Sequence, residues 1–109
     1  MAWLLRDGEV LASLELAESR RERARGLLGR DGIDGALLLA RGRSVHTLGM
    51  RFPIDVAFCD ADLRVIRVVT MPRRRVSRPV WRARQVLEAE AGSFARWNLQ
   101  PGDQLEVKG

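Results

Sequence analysis

The sequence predicts an α+β fold of mostly antiparallel β-strands that curl into a small, partly closed barrel-like sheet. One helix is expected in the N-terminal half and one short helix near the C-terminus. Three observations predict this fold: short apolar segments alternate with turn residues through most of the 109 residues, only two stretches have helical signals, and partial closure leaves few strand edges exposed. At this length, we expect a single domain over residues 1–109 with one hydrophobic core.

The N-terminal segment has the pattern of a β-hairpin. Residues 3–6 and 9–16 resemble strands, and Asp7-Gly8 between them is a strong signal for a two-residue turn. In the second strand, alternate residues are apolar and are expected to share one face. These residues are Val10, Ala12, Leu14 and Leu16.

A helix is predicted after the hairpin. Ser19 and Glu22 have the spacing of a capping box, in which each side chain bonds the backbone N–H of the other residue. The helix is expected to continue to about Leu28 and to end at Gly29. Residues 36–40 are then a buried strand, because five apolar residues between turn residues are too few for a helix.

A proline introduces the most secure strand of the chain. Pro53 restricts its own backbone and that of the preceding residue, and residues 54–59 form an almost unbroken apolar run. Residues 63–71 are expected to return beside this strand as a central hairpin. We expect other parts of the protein to cover both faces of the returning strand, because its apolar side chains point to both faces of the sheet. These residues are Val65, Ile66, Val68 and Val69.

Three further elements are expected in the C-terminal part of the chain. Residues 84–90 are predicted to form a strand, and residues 94–98 a short helix after a glycine. Residues 104–107 are predicted to be the last strand, following a Pro-Gly-Asp turn. The order of elements favours an antiparallel-rich sheet.

Composition limits the classes of function. The net charge is +5, which is compatible with an acidic partner such as nucleic acid, anionic lipid or an acidic protein face. Arginine supplies 18 of the 19 basic residues, so a codon bias is an equally simple origin of the charge. The single cysteine, Cys59, lies in an apolar run and predicts a buried thiol in a reducing cytoplasm. No apolar run approaches the length of about 18 residues that a membrane span needs.

Residues 45–60 hold the best candidates for a binding site. This stretch contains the only histidine, and four unlike polar side chains precede or begin the predicted core strand. We expect His46, Thr47, Arg51 and Asp55 to form one wall of a shallow ligand groove. A structural role is the alternative for each of them, because a buried carboxylate such as Asp55 needs backbone N–H groups or an arginine as partners.

A second candidate is the arginine-rich segment 73–84, which has no acidic residue. Its arginines could grip phosphates while its tryptophan stacks on a base. The candidate residues are Arg73, Arg74, Arg75, Arg78 and Trp81. A solvated loop is the alternative, because none of the familiar nucleic-acid-binding motifs is present.

Four blocks of residues in register resemble a known family. They are residues 23–30, the His46-Thr47 block that continues to Asp55, residues 86–92, and Leu99 with Pro101-Gly102-Asp103. Over about residues 10–107 the chain is similar to the bacterial and archaeal family called "domain of unknown function 192". The resemblance implies a small β-rich α+β domain and no established biochemical activity.

The sequence therefore favours a non-enzymatic binding or accessory domain whose ligand, a small molecule or a protein, is not identified. A nucleic-acid-associated protein that uses residues 73–84 is the second hypothesis. The third is a hydrolase-like enzyme that uses Asp55 and His46, but no complete set of catalytic residues can be assembled. No metal site or cofactor is predicted, because a single histidine has no second ligand at a suitable spacing. The sequence does not predict an oligomeric state.

Overall fold

A seven-stranded sheet forms most of the molecule. The computed structural model describes residues 2–109. Its elements are β1 (Ala2–Arg6), β2 (Glu9–Ala17), α1 (Arg20–Arg25), β3 (Ala36–Ala40), β4 (Ile54–Cys59), β5 (Val65–Met71), β6 (Gln85–Glu90), α2 (Ser93–Trp97) and β7 (Leu105–Lys108). The strands follow the order β5-β4-β6-β3-β2-β1-β7, and every neighbouring pair is antiparallel except β2 and β3. The predicted mostly-β fold with two short helices is confirmed at this level.

The two edges of the sheet meet at one end. The backbone N–H of Val65 donates to the carbonyl of Asp103 at 2.9 Å, and the N–H of Gly102 donates to the carbonyl of Val65 at 2.7 Å. The N–H of Leu105 donates to the carbonyl of Leu63 at 3.0 Å. These bonds join the start of β5 to the segment that enters β7. The sheet is therefore a curled half-barrel, in agreement with the partly closed, barrel-like sheet that the sequence predicts.

Apolar residues cover both faces of the three central strands. An inner layer takes buried residues from all seven strands and closes over Phe94 of α2. An outer layer packs residues of β3, β4 and β6 against Leu27, Met50 and Phe52. Within β4, Ala57 and Cys59 face the inner layer, whereas Ile54, Val56 and Phe58 belong to the outer layer. This double coverage explains why β4 reads as an almost continuous apolar run.

Helix α1 is capped as predicted but is shorter. The backbone N–H of Glu22 donates to Ser19 Oγ at 3.1 Å, and the N–H of Ser19 donates to Glu22 Oε1 at 3.0 Å. The helix ends at Gly26 rather than at Gly29, because Gly26 adopts φ 51° and ψ −128°, a conformation that side chains disfavour. None of the residues of α1 is buried, so no packing extends the helix past this glycine.

The structure corrects two predictions, the shared face of β2 and the central position of β5. The β1–β2 pairing shifts register between Leu4 and Leu5, which inserts one extra residue into β2 and turns Val10 to solvent, where it is 59% exposed. Strand β5 is an edge of the sheet, so its hairpin with β4 is not central. Its apolar residues do pack into both layers, as predicted, but most residues of the strand are only half-buried or are exposed. Among residues 2–109, no helix is long and apolar enough to cross a membrane.

Candidate functional site

A groove of about 310 Å³ opens on the outer face of the sheet, beside the end of α1. We call it the Glu88 groove. It is lined by residues 23–28, Leu39, Arg41, Gly42, residues 44–46, Met50, Val76, Val86 and Glu88. Most of these residues come from segments that leave the sheet and fold back over β3 and β6. The volume is at the lower end of the range typical of small-molecule pockets.

Glu88 lies in apolar surroundings within β6. In the register of the sheet it stands between Leu37 of β3 and Val56 of β4, which are both buried. Glu88 itself is only 5% exposed. Its carboxylate accepts no hydrogen bond from any group in residues 2–109, and no oxygen of it is completely sealed from solvent, so the oxygens open to the groove. Burial raises the pKa of Glu88 to about 7, because an ionised carboxylate loses hydration there without gaining a partner.

Gly26 leaves room for the Glu88 carboxylate. A Cβ atom at position 26 would lie 3.3 Å from Glu88 Oε1 and 3.8 Å from Leu39 Cδ2. Because Gly26 also has a positive φ of 51°, any side chain there is both strained and crowded. The same glycine therefore ends α1 and keeps the carboxylate reachable from the groove.

Arginines surround the groove and lack acidic partners. Arg23 donates to the carbonyl of Glu18, and Arg25 Nε donates to the carbonyl of Leu28 at 3.4 Å. Arg41 is the third arginine that lines the groove. The ion pairs found in the described chain involve other arginines, namely Arg6, Arg30 and Arg51. The groove thus combines a positively charged lining with a single buried acid.

His46 and Thr47 occupy neighbouring positions but have different surroundings. His46 is exposed, pairs with Val76 in an isolated antiparallel bridge and lines the Glu88 groove. Thr47 is fully buried: its Oγ1 donates to the carbonyl of Pro72 at 2.7 Å and accepts from the backbone N–H of Arg75 at 2.8 Å. The hydroxyl of Thr47 therefore fixes the segment that follows β5.

Arg51 and Asp55 lie away from the groove. Arg51 forms an exposed ion pair with Asp31 at 2.9 Å. Asp55 is 2% exposed and alternates with outer-layer residues along β4, so it faces the inner side of the sheet. Its Oδ1 accepts from Thr70 Oγ1 at 2.7 Å, and its Oδ2 accepts the backbone N–H groups of Gly92 and Phe94 at 3.0 Å each.

The four residues expected to form one wall do not converge. Only His46 lines the Glu88 groove, whereas Thr47 and Asp55 spend their polar atoms on internal hydrogen bonds. Asp55 and His46 lie on opposite faces of the sheet, so the catalytic pair of the hydrolase hypothesis is not assembled. Glu88 was missed as a site residue. Its signal is a lone acid inside the apolar run of residues 86–89.

A second cavity of about 190 Å³ adjoins the first. Three arginines, Arg67, Arg75 and Arg78, line it above buried Phe58. Val76 lines both cavities and is 67% exposed.

The remaining residues of the nucleic-acid hypothesis do not line this cavity. Arg73 Nε donates to the carbonyl of Met50 at 3.0 Å, and Arg74 has a positive φ of 62°. Trp81 is 72% exposed. In the described part of the chain, no group of three or more histidine, cysteine, aspartate or glutamate side chains could hold a metal ion.

Comparisons with known proteins give a family and a fold. The family model DUF192, described as "Uncharacterized ACR", matches residues 2–107, a longer span than the expected 10–107. A UPF0127 protein of Thermococcus gammatolerans is 30% identical over 96 residues, which are 83% of this chain and 63% of that protein. The chain thus spans less than two thirds of that relative's length.

Two crystal structures have a similar fold. One is a protein of unknown function from Novosphingobium aromaticivorans, with a TM-score of 0.78, 22% identity, and coverage of 96% of this chain and 82% of that chain. The other, from Sinorhizobium meliloti, is described as a candidate transcription regulator, with a TM-score of 0.80, 24% identity, and coverage of 97% and 91%. At these identities the likeness establishes the fold alone.

Proposed function

The chain belongs to the family called "domain of unknown function 192", and on that premise we propose that it is a small binding domain whose ligand site is the Glu88 groove. Of the four residues predicted to form the wall, the proposed site retains only His46. Glu88 and the arginines around the groove take the place of Thr47, Arg51 and Asp55. The lone thiol of Cys59 is buried, which suits the reducing cytoplasm in which we place the protein.

One observation carries the proposal: Glu88 is a buried acid without a protein partner that opens into a concave groove. The oxygens of Glu88 are not sealed from solvent, so a molecule that enters the groove can bond them directly. A carboxylate whose pKa is raised to about 7 also weakens the fold at neutral pH. A ligand that bonds this carboxylate accounts for why such a costly residue stands in the middle of β6.

The other side chains of the groove suit recognition rather than structure. Arg41 makes no ion pair among residues 2–109, and Leu28, which also lines the groove, is 37% exposed. Guanidinium groups can bind carboxylate, phosphate or sulfonate in a forked geometry. An apolar floor with few polar groups is typical of small-molecule sites.

Binding can be tested with isotope-labelled protein and a library of small polar compounds. We expect binders to shift the amide signals of residues 23–28, 41–46 and 86–90 together. Glu88→Gln should weaken those binders at least about tenfold, because it removes the charged partner at the floor. Glu106→Gln, which removes an exposed acid of β7, should leave the affinity unchanged. Shifts confined to other surfaces, or equal affinity for the Glu88→Gln protein, would contradict the proposal.

A nucleic-acid role is the second candidate, because three arginines without acidic partners line the second cavity. Such a site predicts binding to oligonucleotides that weakens steeply between low and physiological salt. Replacing Arg75 and Arg78 by serine should abolish this binding, whereas Arg96→Ser, on α2, should not. Salt-independent binding, or binding that survives the double replacement, would exclude this candidate.

A further inference from the structure

The floor and the lining of the Glu88 groove make opposite demands on a ligand. At the floor, Glu88 is flanked by apolar Leu37 and Val56 and has no protein partner in residues 2–109. A hydroxyl group could bond its carboxylate but would leave the charge uncompensated in a poorly hydrated place. A cationic group compensates the charge, and its attraction to the carboxylate offsets part of the free energy that Glu88 loses when it leaves water. The floor therefore favours a positively charged group.

The lining demands a negatively charged group. Arg23, Arg25 and Arg41 come from two separate segments and line the same groove. None of them lies within ion-pair distance of Glu88 or of another acid in the described chain. The protein thus holds an acid and several guanidinium groups around one space without pairing them. A molecule between them can satisfy both.

We propose that the Glu88 groove binds a small amphoteric compound, whose ammonium group pairs with Glu88 and whose anionic group is held by Arg23, Arg25 and Arg41. This inference rests on the proposed binding function and adds the class of ligand. A carboxylate, a phosphate and a sulfonate are equivalent anions in this respect, because each offers a guanidinium group two oxygens. The groove volume of about 310 Å³ limits the ligand to the size of a small metabolite.

Binding of an ammonium group should depend on pH through Glu88. Segments 23–28 and 41–46 present Arg23, Arg25, Arg41 and His46 to the groove, and the strands on either side of Glu88 present only Leu37 and Val56 at its level. With a pKa of about 7, Glu88 is about one tenth ionised at pH 6 and about nine tenths ionised at pH 8. The affinity for an ammonium group should therefore rise about tenfold over this range.

Aminoalkanesulfonates are suitable probes because their sulfonate stays anionic and their amine stays cationic between pH 6 and pH 8. The probes are 3-aminopropane-1-sulfonate and 4-aminobutane-1-sulfonate, each compared by calorimetry with the alkanesulfonate that lacks the amine. At pH 8 we expect the amino compound of the better length to bind at least about tenfold more tightly than its amine-free analogue. At pH 7 binding should release about half a proton, because about half of the Glu88 carboxyls are then protonated.

Three variants assign the two charges of the ligand. Glu88→Gln should remove both the preference for the amine and the pH dependence. Arg41→Gln should weaken the amino and amine-free sulfonates equally, by about three- to tenfold, whereas Arg21→Gln, on α1 but outside the groove, should have no effect. His46→Gln should keep the pH dependence of binding. That result would exclude the imidazole as the source of the pH dependence.

The outcomes separate the ligand class from the binding function. Two results would overturn the proposal of an amphoteric ligand: equal or tighter binding of the amine-free sulfonate, or an affinity for the amino compound that rises towards pH 6. Either result would mean that the groove binds an acid beside protonated Glu88. Failure of all sulfonates to shift the amides of residues 86–90, while other library compounds shift them, overturns the class and leaves the binding function standing. Failure of the whole library overturns both.

Discussion

Two buried acids on neighbouring strands have opposite surroundings. Asp55 on β4 and Glu88 on β6 are 2% and 5% exposed, and they face opposite sides of the sheet. Asp55 accepts one hydroxyl and two backbone N–H groups, whereas the Glu88 carboxylate accepts nothing from residues 2–109. Burial alone therefore does not mark a functional acid in this molecule. The difference lies in whether the protein supplies the partners.

The largest expected effect tests the structural role of Asp55. Asp55→Ala leaves the N–H groups of Gly92 and Phe94 without an acceptor at the start of α2, and we expect a loss of about 3–5 kcal/mol in the free energy of unfolding. Urea denaturation measures the change. Asp34→Ala, at an exposed position, should cost less than about 0.5 kcal/mol. A loss below about 1 kcal/mol for Asp55→Ala would remove the contrast between the two acids.

The next effect has the opposite sign and depends on pH. Glu88 has a pKa raised from 4.5 to about 7, so the folded protein holds this proton more tightly than the unfolded chain does. The contribution of the proton to stability is complete below about pH 4.5 and is lost as the pH rises through about 7. Because glutamine does not ionise, Glu88→Gln should stabilise the protein by up to roughly 3 kcal/mol at pH 8 and by almost nothing at pH 4.

Denaturation curves of both proteins from pH 4 to pH 8 check this prediction, and Glu106→Gln is the matched control at an exposed site. A destabilising effect of Glu88→Gln at pH 8 would mean that the carboxylate has a protein partner in solution. A variant that is more stable and no longer binds ligand would show that Glu88 is kept for recognition.

Thr47 extends the comparison to a buried neutral group that has its partners. Thr47→Val leaves the carbonyl of Pro72 and the N–H of Arg75 without the hydroxyl, and should cost about 1–3 kcal/mol. Thr47→Ser keeps the hydroxyl and should recover most of that loss. Amide hydrogen exchange at Arg75 should accelerate in the valine variant only. Unchanged exchange would show that the hydroxyl does not hold this segment.

The smallest effect is expected at Arg51. Its ion pair with Asp31 is solvent-exposed, with 60% and 88% of the two side chains accessible, so Arg51→Ala should change the stability by less than about 0.5 kcal/mol. It should also leave ligand binding unchanged, because Arg51 does not line the Glu88 groove. Ligand binding that depends on Arg51 would restore part of the wall predicted from the sequence.

Local patterns in the sequence predict the elements well. Asp7 and Gly8 both have positive φ, at 52° and 79°, as the Asp-Gly turn signal requires. The Ser19–Glu22 capping box and strand β4 after Pro53 also form as predicted. Each of these features is decided by residues within a few positions of one another. The position of β5 at the edge of the sheet is not decided by nearby residues, because an edge strand differs from a central one only in what lies beside it.

The candidate site depends on contacts between distant segments, which explains why the sequence prediction placed it elsewhere. His46, Thr47, Arg51 and Asp55 are close in the chain, but the sheet turns Asp55 to its inner face and only His46 reaches the groove. Glu88 becomes notable only once Gly26 lies against it, 62 positions earlier in the chain. The lone acid in an apolar strand was visible in the sequence, but the space in front of it was not.

The position of β6 between β3 and β4 also has a consequence for folding. Strands β3 and β4 have no direct pairing with each other, so the centre of the sheet stays open until residues 85–90 have been inserted. Until then each has an unpaired apolar edge, the kind of surface on which other chains aggregate. An ionisable side chain in the middle of the strand that fills this gap acts as a gatekeeper during that interval. A charge at position 88 therefore disfavours pairing of β6 with another chain while this strand is not yet inserted.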